Sequence, residues 1–392
     1  MNLPERCSVA IVGGGPAGSA LAALLARAGR RPVLLERDRF PRQKLCGEFL
    51  SMEAQTLLAR IGCLDAVRAL CPAAITGARF FSPSGRSVEI DLGAEALGLG
   101  RVALDETLFR HAEQSGALAF EGAAVTRMDE DAGGVLLEIE RSLPDGTCAK
   151  RHLRADRVVA AYGRRSGLDR PLDRDFLRRR SPFVGYKRRH VLLPGADPIA
   201  AELRGKVEIH LFDGGYCGVS VVDGGAVNVC LLAEQRVLAT ADASLRRNPA
   251  ALLARLSPSL RGRIEALRPD GEPLAAAQLT FTAKETSSGS IFFIGDAAGM
   301  IAPLCGDGQA MALESAVLLA ELMARGDGDD LPRLWDDLWR RRFASRLRAG
   351  RWLQALLMRP AASEAIVRIL KRWPVMAAPL LTRTRGEPCL QP

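Results

Sequence analysis

Aromatic residues are scarce in this chain, at 5% of 392 residues, with three tyrosines and four tryptophans. Stacking platforms for single-stranded nucleic acid are therefore few. Lysine is rare as well. The net charge of +9 rests on arginines scattered along the chain, and no nucleic-acid-binding motif accompanies them, so no nucleic-acid partner is expected. The nine cysteines form no Cys-x-x-Cys pair and no histidine cluster joins them, which leaves no zinc pattern and no expected metal site. Their odd number fits a reducing compartment better than a disulfide framework, and a cytoplasmic location is expected. No run of about 18 uncharged apolar residues exists, so no membrane span is expected. The first apolar run is broken by glycines, unlike a signal peptide.

That broken run is the most informative segment. Cys7–Val12 reads as a buried parallel strand. Gly13-Gly14-Gly15-Pro16-Ala17-Gly18 comes next, then an alanine- and leucine-rich helix to about Gly29, then a second strand, Pro32–Leu35, ending in Glu36-Arg37. Gly13 permits the tight turn out of the strand. Gly15 lets the backbone approach a pyrophosphate, and Gly18 lets the helix pack on the strand. The helix N-terminus offers unpaired N–H groups to phosphate charge. Glu36 can accept hydrogen bonds from ribose hydroxyls. The acid argues against a 2′-phosphate, so the motif predicts FAD or NAD rather than NADP.

The far end of the chain separates those two. Ser290–Ile294 reads as a strand, followed by Gly295-Asp296-Ala297-Ala298-Gly299, then Pro303 and Gly306-Asp307-Gly308-Gln309 opening a helix over 310–324. The two motifs together resemble the FAD-dependent superfamily of aromatic hydroxylases, geranylgeranyl reductases and flavin halogenases, with its glutathione-reductase-like FAD fold. The resemblance implies that Asp296 bonds the flavin's ribityl chain. It also places the N-terminus of the 310–324 helix, with Gly306 and Gly308, against the flavin ring. There the positive helix end favours the anionic reduced flavin. Phe40–Glu48, which includes Lys44 and Cys46, resembles the loop after the second strand in the reductase and halogenase branches. Arg101-x3-Asp105-x2-Leu108 resembles the helix start whose arginine contacts FAD. Ala119–Val125 resembles the strand whose end, Val125, meets the adenine. The expected FAD site is thus Gly13, Gly15, Pro16, Ala17, Gly18, Glu36, Arg37, Lys44, Cys46, Arg101, Val125, Gly295, Asp296, Gly306 and Gly308, with NAD(P)H as electron donor.

One position departs from the hydroxylases. They carry Ala-Asp-Gly after the strand at 157–160, and here Tyr162 stands in place of the aspartate, which weakens the case for hydroxylase-type reduction by NAD(P)H. Arg164 and Arg165 come directly after it, read either as phosphate contacts or as a solvated turn. Cys46 and Cys305 both fall in loops that the resemblance places beside the flavin, so a redox pair and two plain buried thiols are both open.

The expected fold is α/β. A Rossmann-like FAD-binding domain covers 1–75, 100–170 and 280–330. An interleaved antiparallel-sheet substrate domain covers 76–99 and 171–279, and C-terminal helices cover 331–392. Within the substrate domain, Val207–Phe212, Tyr216–Val221 and Ala226–Leu232 read as strands joined by glycine turns. Tyr216–Ser220 falls where geranylgeranyl reductases carry an aromatic stripe, and only the tyrosine remains. Tyr216 is the expected catalytic donor. His111 is placed on a helix surface, and His210 in the sheet faces either a pocket or an exposed edge. Leu334–Met358 and Ala362–Trp373 read as helices that cap the core or dock, arginine-flanked, on anionic lipid. Pro374 ends the helical pattern, and the last ten residues are expected to fray.

Three functions are open: hydroxylation of a hydrophobic, phenolic or polyketide-like molecule through a flavin hydroperoxide, saturation of isoprenoid double bonds, and non-catalytic lipid binding. The lost stripe tilts the sequence reading toward hydroxylation. Halogenation has little support, because the Trp-x-Trp-x-Ile-Pro motif of tryptophan halogenases is absent.

Overall fold

A computed structural model describes residues 2–142, 147–239, 249–326, 328–373 and 376. The strands in chain order are β1 (Arg6–Val12), β2 (Val33–Leu35), β3 (Phe49–Leu50), β4 (Ala73–Phe81), β5 (Ser87–Gly98), β6 (Leu118–Phe120), β7 (Ala123–Asp131), β8 (Gly134–Ser142), β9 (Cys148–Ala160), β10 (Phe183–Leu192), β11 (Gly205–Phe212), β12 (Gly215–Val221), β13 (Val227–Glu234), β14 (Leu267–Ala276), β15 (Ser287–Ser288) and β16 (Ile291–Phe293). The helices are α1 (Pro16–Arg27), α2 (Met52–Ile61), α3 (Leu64–Arg68), α4 (Arg101–Gln114), α5 (Asp197–Leu203), α6 (Gln235–Ala239), α7 (Pro249–Leu256), α8 (Pro258–Glu265), α9 (Gly308–Ala324), α10 (Leu331–Leu357) and α11 (Pro360–Arg372).

The first sheet runs β15-β16-β9-β1-β2-β6, with β8 and β7 added on the long strand β9. Its centre is parallel: β16, β9, β1, β2 and β6 pair in that sense. A strand buried on both faces needs continuous apolar sequence, and Val9 to Val12 of β1 are all buried. α1 starts with Pro16 at its first turn and buries Ala17, Ala20, Leu21 and Ala23 along its length. Small alanines let it lie close to the sheet, to α4 and to α9. The segment 119–125 is not the single strand expected. Gly122, with φ +63°, breaks it between β6 and β7.

The second sheet runs β14-β10-β13-β12-β11-β4-β5-β3 and is antiparallel except at β11–β4. Its two faces differ. Phe212, Cys217, Val219 and Val229 pack with Leu203, Leu253 and Leu260 from α5, α7 and α8. The opposite face carries Lys187, Asn228 and Tyr216, and it turns toward the loop at 40–48 and the C-terminal helices. His210 is on neither an edge nor that inner face. It is fully buried, stacked on Phe81 at 4.5 Å and bonded to Ser259 Oγ at 2.7 Å and Glu208 Oε2 at 3.2 Å. His111 is half-buried on α4 rather than free at its surface, with Nε2 3.1 Å from the Ile61 carbonyl. Pro374 and the last ten residues lie outside the described residues.

Candidate cofactor and active site

The turn between β1 and α1 is set by contact distances. Gly13 has φ +111°, and a Cβ there would stand 2.5 Å from the Ala161 carbonyl oxygen. A Cβ on Gly18 would stand 2.0 Å from the Gly13 carbonyl oxygen. Both positions exclude any side chain. Gly15 differs: its nearest neighbours are the Arg101 and Arg42 guanidiniums, each 3.9 Å from the Cβ position. That open, doubly cationic cradle lies at the start of α1, where Pro16 and Ala17 begin the helix, and it has the charge and shape a pyrophosphate needs.

Glu36 ends β2 and is buried. Its Oε2 accepts from Gly14 N at 2.7 Å, and its Oε1 from Asp38 N at 3.0 Å. Arg42 balances its charge, 3.3 Å away, and reaches Asp105 at 3.0 Å on its other side. Arg101 grips Asp105 with a two-pronged contact at 2.6 and 2.8 Å. Glu36, Arg42, Asp105 and Arg101 thus form one charge-alternating chain around the cradle. Buried charges persist only when paired in this way. Arg42 and Asp105 were not among the expected site residues. Their signal was a buried acid at a strand end, which demands a nearby cation.

Other expected residues are placed differently. Arg37 is exposed beside Asp38, at 3.5 Å, and Lys44 pairs with the same carboxylate at 3.0 Å. Val125 is half-buried on β7, beyond the break at Gly122. Gly295 joins the two ends of the chain: its Cβ position is 3.0 Å from Ala17 Cβ, and its N–H donates to Ser315 Oγ at 2.9 Å. Burial raises the neighbouring Asp296 carboxyl above its usual range, against the pull of Lys284, Arg101 and Arg164. Lys284 Nζ donates to the Asp296 carbonyl at 2.8 Å, and burial brings this ammonium down to about 8. Gly306 has φ +68° in the turn before α9, and a Cβ there would stand 3.2 Å from the Phe49 ring. Gly308 begins α9.

The loop at Cys46–Glu48 meets the second sheet. Asn228 Nδ2 donates to the Cys46 carbonyl at 3.2 Å. Glu48 Oε1 accepts from Arg101 N at 2.9 Å and pairs with the buried Lys187 ammonium. Around this loop Glu48 Oε2, Asn228 Oδ1 and Gln309 Oε1 are buried and have no partner among the described residues. Unpaired buried acceptors are costly, and native proteins rarely keep them unless a ligand or water pairs with them. Three such atoms, converging from a loop, a strand and a helix, fit the hydrogen-bond donors of a flavin nucleotide. Glu48, Lys187, Asn228 and Gln309 were not singled out in the sequence, because they come together only in the fold.

Tyr162 replaces the hydroxylase aspartate and does a structural job. Its hydroxyl donates to Asp169 Oδ1 at 2.7 Å and accepts from Arg174 at 3.4 Å. Arg174 also donates to the Ala297 carbonyl at 2.8 Å, which ties this turn to the Gly295–Ala298 turn. Arg164 and Arg165 are exposed. Neither Cys46 nor Cys305 is in a disulfide in this structure. Tyr216 is buried, and its hydroxyl donates to Gln354 Oε1 at 3.4 Å. Burial holds this phenol well above its ordinary range, so it stays protonated. Among the described residues no cluster of metal ligands occurs.

The fold and site, a parallel sheet with a glycine-turn cradle beside a second, largely antiparallel sheet, define a flavoprotein that binds FAD. The chain belongs to the FAD-dependent oxidoreductase superfamily. A family model described as an FAD binding domain matches residues 6–181. A menaquinone reductase of Mycobacterium tuberculosis is 30% identical over 382 residues, covering 92% of this chain and 86% of that relative. Among solved structures, a geranylgeranyl bacteriochlorophyll reductase-like protein of Thermoplasma acidophilum has a TM-score of 0.78 at 19% identity, covering 97% of this chain and 96% of that one. A flavin-dependent brominase, Bmp2, has a TM-score of 0.76 at 16% identity, covering 97% of this chain and 93% of that one. The chain is accordingly an FAD-dependent oxidoreductase, and the two structures attest its fold.

Proposed function

We propose that this enzyme saturates a carbon–carbon double bond in the prenyl chain of a quinone-like lipid. The observation that carries the reading is an apolar wall on the inner face of the second sheet. Leu211, Tyr216 and Leu232 from the sheet pack there with Phe281 and with Leu357 and Met358 at the end of α10. Apart from the Tyr216 hydroxyl these side chains are apolar, so the wall suits an alkyl or alkenyl chain rather than a polar ring. The similarity to a menaquinone reductase supports this reading, because it covers 92% of this chain and is not confined to the nucleotide-binding motifs. Menaquinone is a naphthoquinone bearing a prenyl chain.

Bound FAD supplies the hydride equivalent. The chain's own residues bind and orient. Gly15, Arg42 and Arg101 hold the pyrophosphate, Glu36 the ribose, and Asp296 the ribityl chain. The wall excludes water and lines up the prenyl chain, and the protonated Tyr216 hydroxyl stands ready to give a proton to the substrate carbon. NAD(P)H is the proposed donor of electrons, tested by whether it bleaches the bound flavin anaerobically.

The deciding experiment mixes the reduced holoenzyme with a prenylated naphthoquinone, first without oxygen and then with it. The expected product gains two hydrogens in its chain under anaerobic conditions, as read by mass spectrometry. A product formed only with oxygen, and one oxygen atom heavier, overturns the proposal in favour of the hydroxylation that the sequence favoured.

A further inference from the structure

Among the described residues, the C-terminal helices bury one side and leave the other uncovered. On the inner side, Trp335, Trp339, Phe343 and Leu347 of α10 join the main core. Val367 and Leu370 of α11 pack on Val88 of β5. On the outer side stand Trp352, 61% exposed, Ile369, 40% exposed, and Trp373, 55% exposed. Ile369 and Trp373 are one helical turn apart, so they share a stripe. Tryptophan is normally buried or at an interface, because its indole is largely apolar with one polar N–H.

The charge on these helices is one-sided. Residues 338–376 contain ten lysines and arginines and a single acid, Glu364. Glu364 is taken by Arg86 at 3.1 Å and by the Ser84 N–H at 2.7 Å. Arg340 pairs with Asp336, Arg342 with Glu314, and Arg346 with Asp307 and Glu314. Arg348, Arg351 and Arg359 on or at the end of α10, and Arg368, Lys371 and Arg372 on α11, are all exposed. None of these six has an ion pair among the described residues. Arg348 and Trp352 are four residues apart on α10, which places a cation and the indole on one stripe.

We infer that the outer face of α10 and α11 docks on an anionic lipid bilayer. Exposed indoles and an isoleucine need an apolar phase to enter, and the cations around them need an anionic surface. A second copy of the chain fits less well, because a two-fold contact through this face sets the same cations against themselves. A nucleic acid would meet the charge but not the aliphatic and indole surface. The inner sides of the same helices line the wall at Tyr216, so a lipid-borne substrate would arrive next to the place that takes it; that last link alone rests on the proposed function.

The test uses the FAD-loaded full chain and needs no turnover. Sedimentation is measured with phosphatidylglycerol–phosphatidylcholine vesicles and with phosphatidylcholine vesicles. The variants are Trp352→Ala with Trp373→Ala, and Arg368→Glu with Lys371→Glu. All four positions are exposed, so bound-flavin absorbance and the melting temperature report an intact fold. The parent protein is expected to pellet with the anionic vesicles, its tryptophan emission shifting blue, and each double variant to bind about tenfold more weakly or worse. No pelleting with anionic vesicles at low salt overturns the inference. So does pelleting that neither variant weakens, or a self-association or an RNA complex that the variants abolish while vesicle binding is absent.

Discussion

Gly15 and Gly18 sit three residues apart in one turn yet answer to different constraints. A methyl group at Gly18 collides with the Gly13 carbonyl at 2.0 Å, a clash within the protein itself. A methyl group at Gly15 meets nothing nearer than the two guanidiniums at 3.9 Å, so it fills only the space meant for phosphate. Gly18→Ala is therefore expected to lower the stability of apoprotein and holoprotein alike, by about 1–3 kcal/mol. Gly15→Ala should leave the apoprotein's melting temperature unchanged and weaken FAD binding about tenfold or more. Fluorescence titration of FAD alongside thermal melts separates the two cases. Asp307 makes a prediction about pH. Burial pushes its carboxyl up to about 6 from 3.8, although Arg346 pulls the other way. Between those values the folded state holds more protons than the unfolded one. The stability this group contributes is thus fully present below about pH 4 and lost as pH rises through about 6. Asp307→Asn removes that slope. Its denaturation midpoint, relative to the parent, should climb between about pH 4 and pH 7, whatever fixed offset the lost Arg346 pair adds. For Tyr216, removal of the hydroxyl in Tyr216→Phe should lower kcat by about a hundredfold or more if it delivers the proton. FAD affinity should not change, and an unchanged kcat leaves the phenol a packing group.

At the scale of elements, legibility tracks the range of the forces involved. β1, α1 and β2 could be read because their signals are local: a buried run, a glycine turn, a run of alanine and leucine, a terminal acid. The start of α9 and the β11–β13 meander were legible for the same reason. β14 was not. Its sequence, Leu-Arg-Pro-Asp-Gly-Glu-Pro-Leu-Ala-Ala, is charged and proline-containing and does not look like a strand. It forms one because it is the sheet's edge, where a missing N–H costs no ladder bond. The site divides in the same way. Gly13, Gly18, Glu36 and Arg101 are readable from motifs. The Glu48–Lys187 pair and the Asn228–Cys46 contact join segments more than a hundred residues apart and need the second sheet to be folded over the first. Arg346 belongs with them. It leaves α10 to meet Asp307 and Glu314 at the start of α9, deep in the protein. Arg346→Met would leave the buried Asp307 carboxylate without its cation and Glu314 paired with Arg342, and a loss of about 3–5 kcal/mol is expected in urea unfolding. A loss below about 1 kcal/mol would mean that α10 does not depend on this anchor.

At the scale of the whole molecule, the proposed FAD site is also a structural joint. Among the described residues, four contacts near the site tie the second sheet and its loops to the 46–48 loop, the start of α4 and α9: Lys187 to Glu48, Asn228 to Cys46, Asp223 to Gly100 N at 2.5 Å, and the Phe49 carbonyl to Gln309 at 3.4 Å. Between them lie the unpaired acceptors of Glu48, Asn228 and Gln309, drawn from the 46–48 loop, β13 and α9. Each unpaired buried acceptor costs about 1–3 kcal/mol, so the two sheets meet across a seam that is destabilising until a donor fills it. In the proposed binding mode FAD would reach from the Gly15 cradle beside the first sheet toward that seam, which would couple its binding free energy to the closure of the second sheet on the first. With FAD at a thousandfold excess over its Kd, mass action alone stabilises the native state by about 4 kcal/mol. The holoprotein should therefore melt as one cooperative unit in scanning calorimetry. Stripping FAD should lower the main transition and split it, the second sheet unfolding first. Gln309→Met tests the cause. It removes one unpaired acceptor at nearly constant volume, together with the long bond to the Phe49 carbonyl, so the apoprotein's stability should change little while the gap between apoprotein and holoprotein narrows. An unchanged gap would show that FAD stabilises the first sheet alone, and that the seam is held by the protein's own contacts.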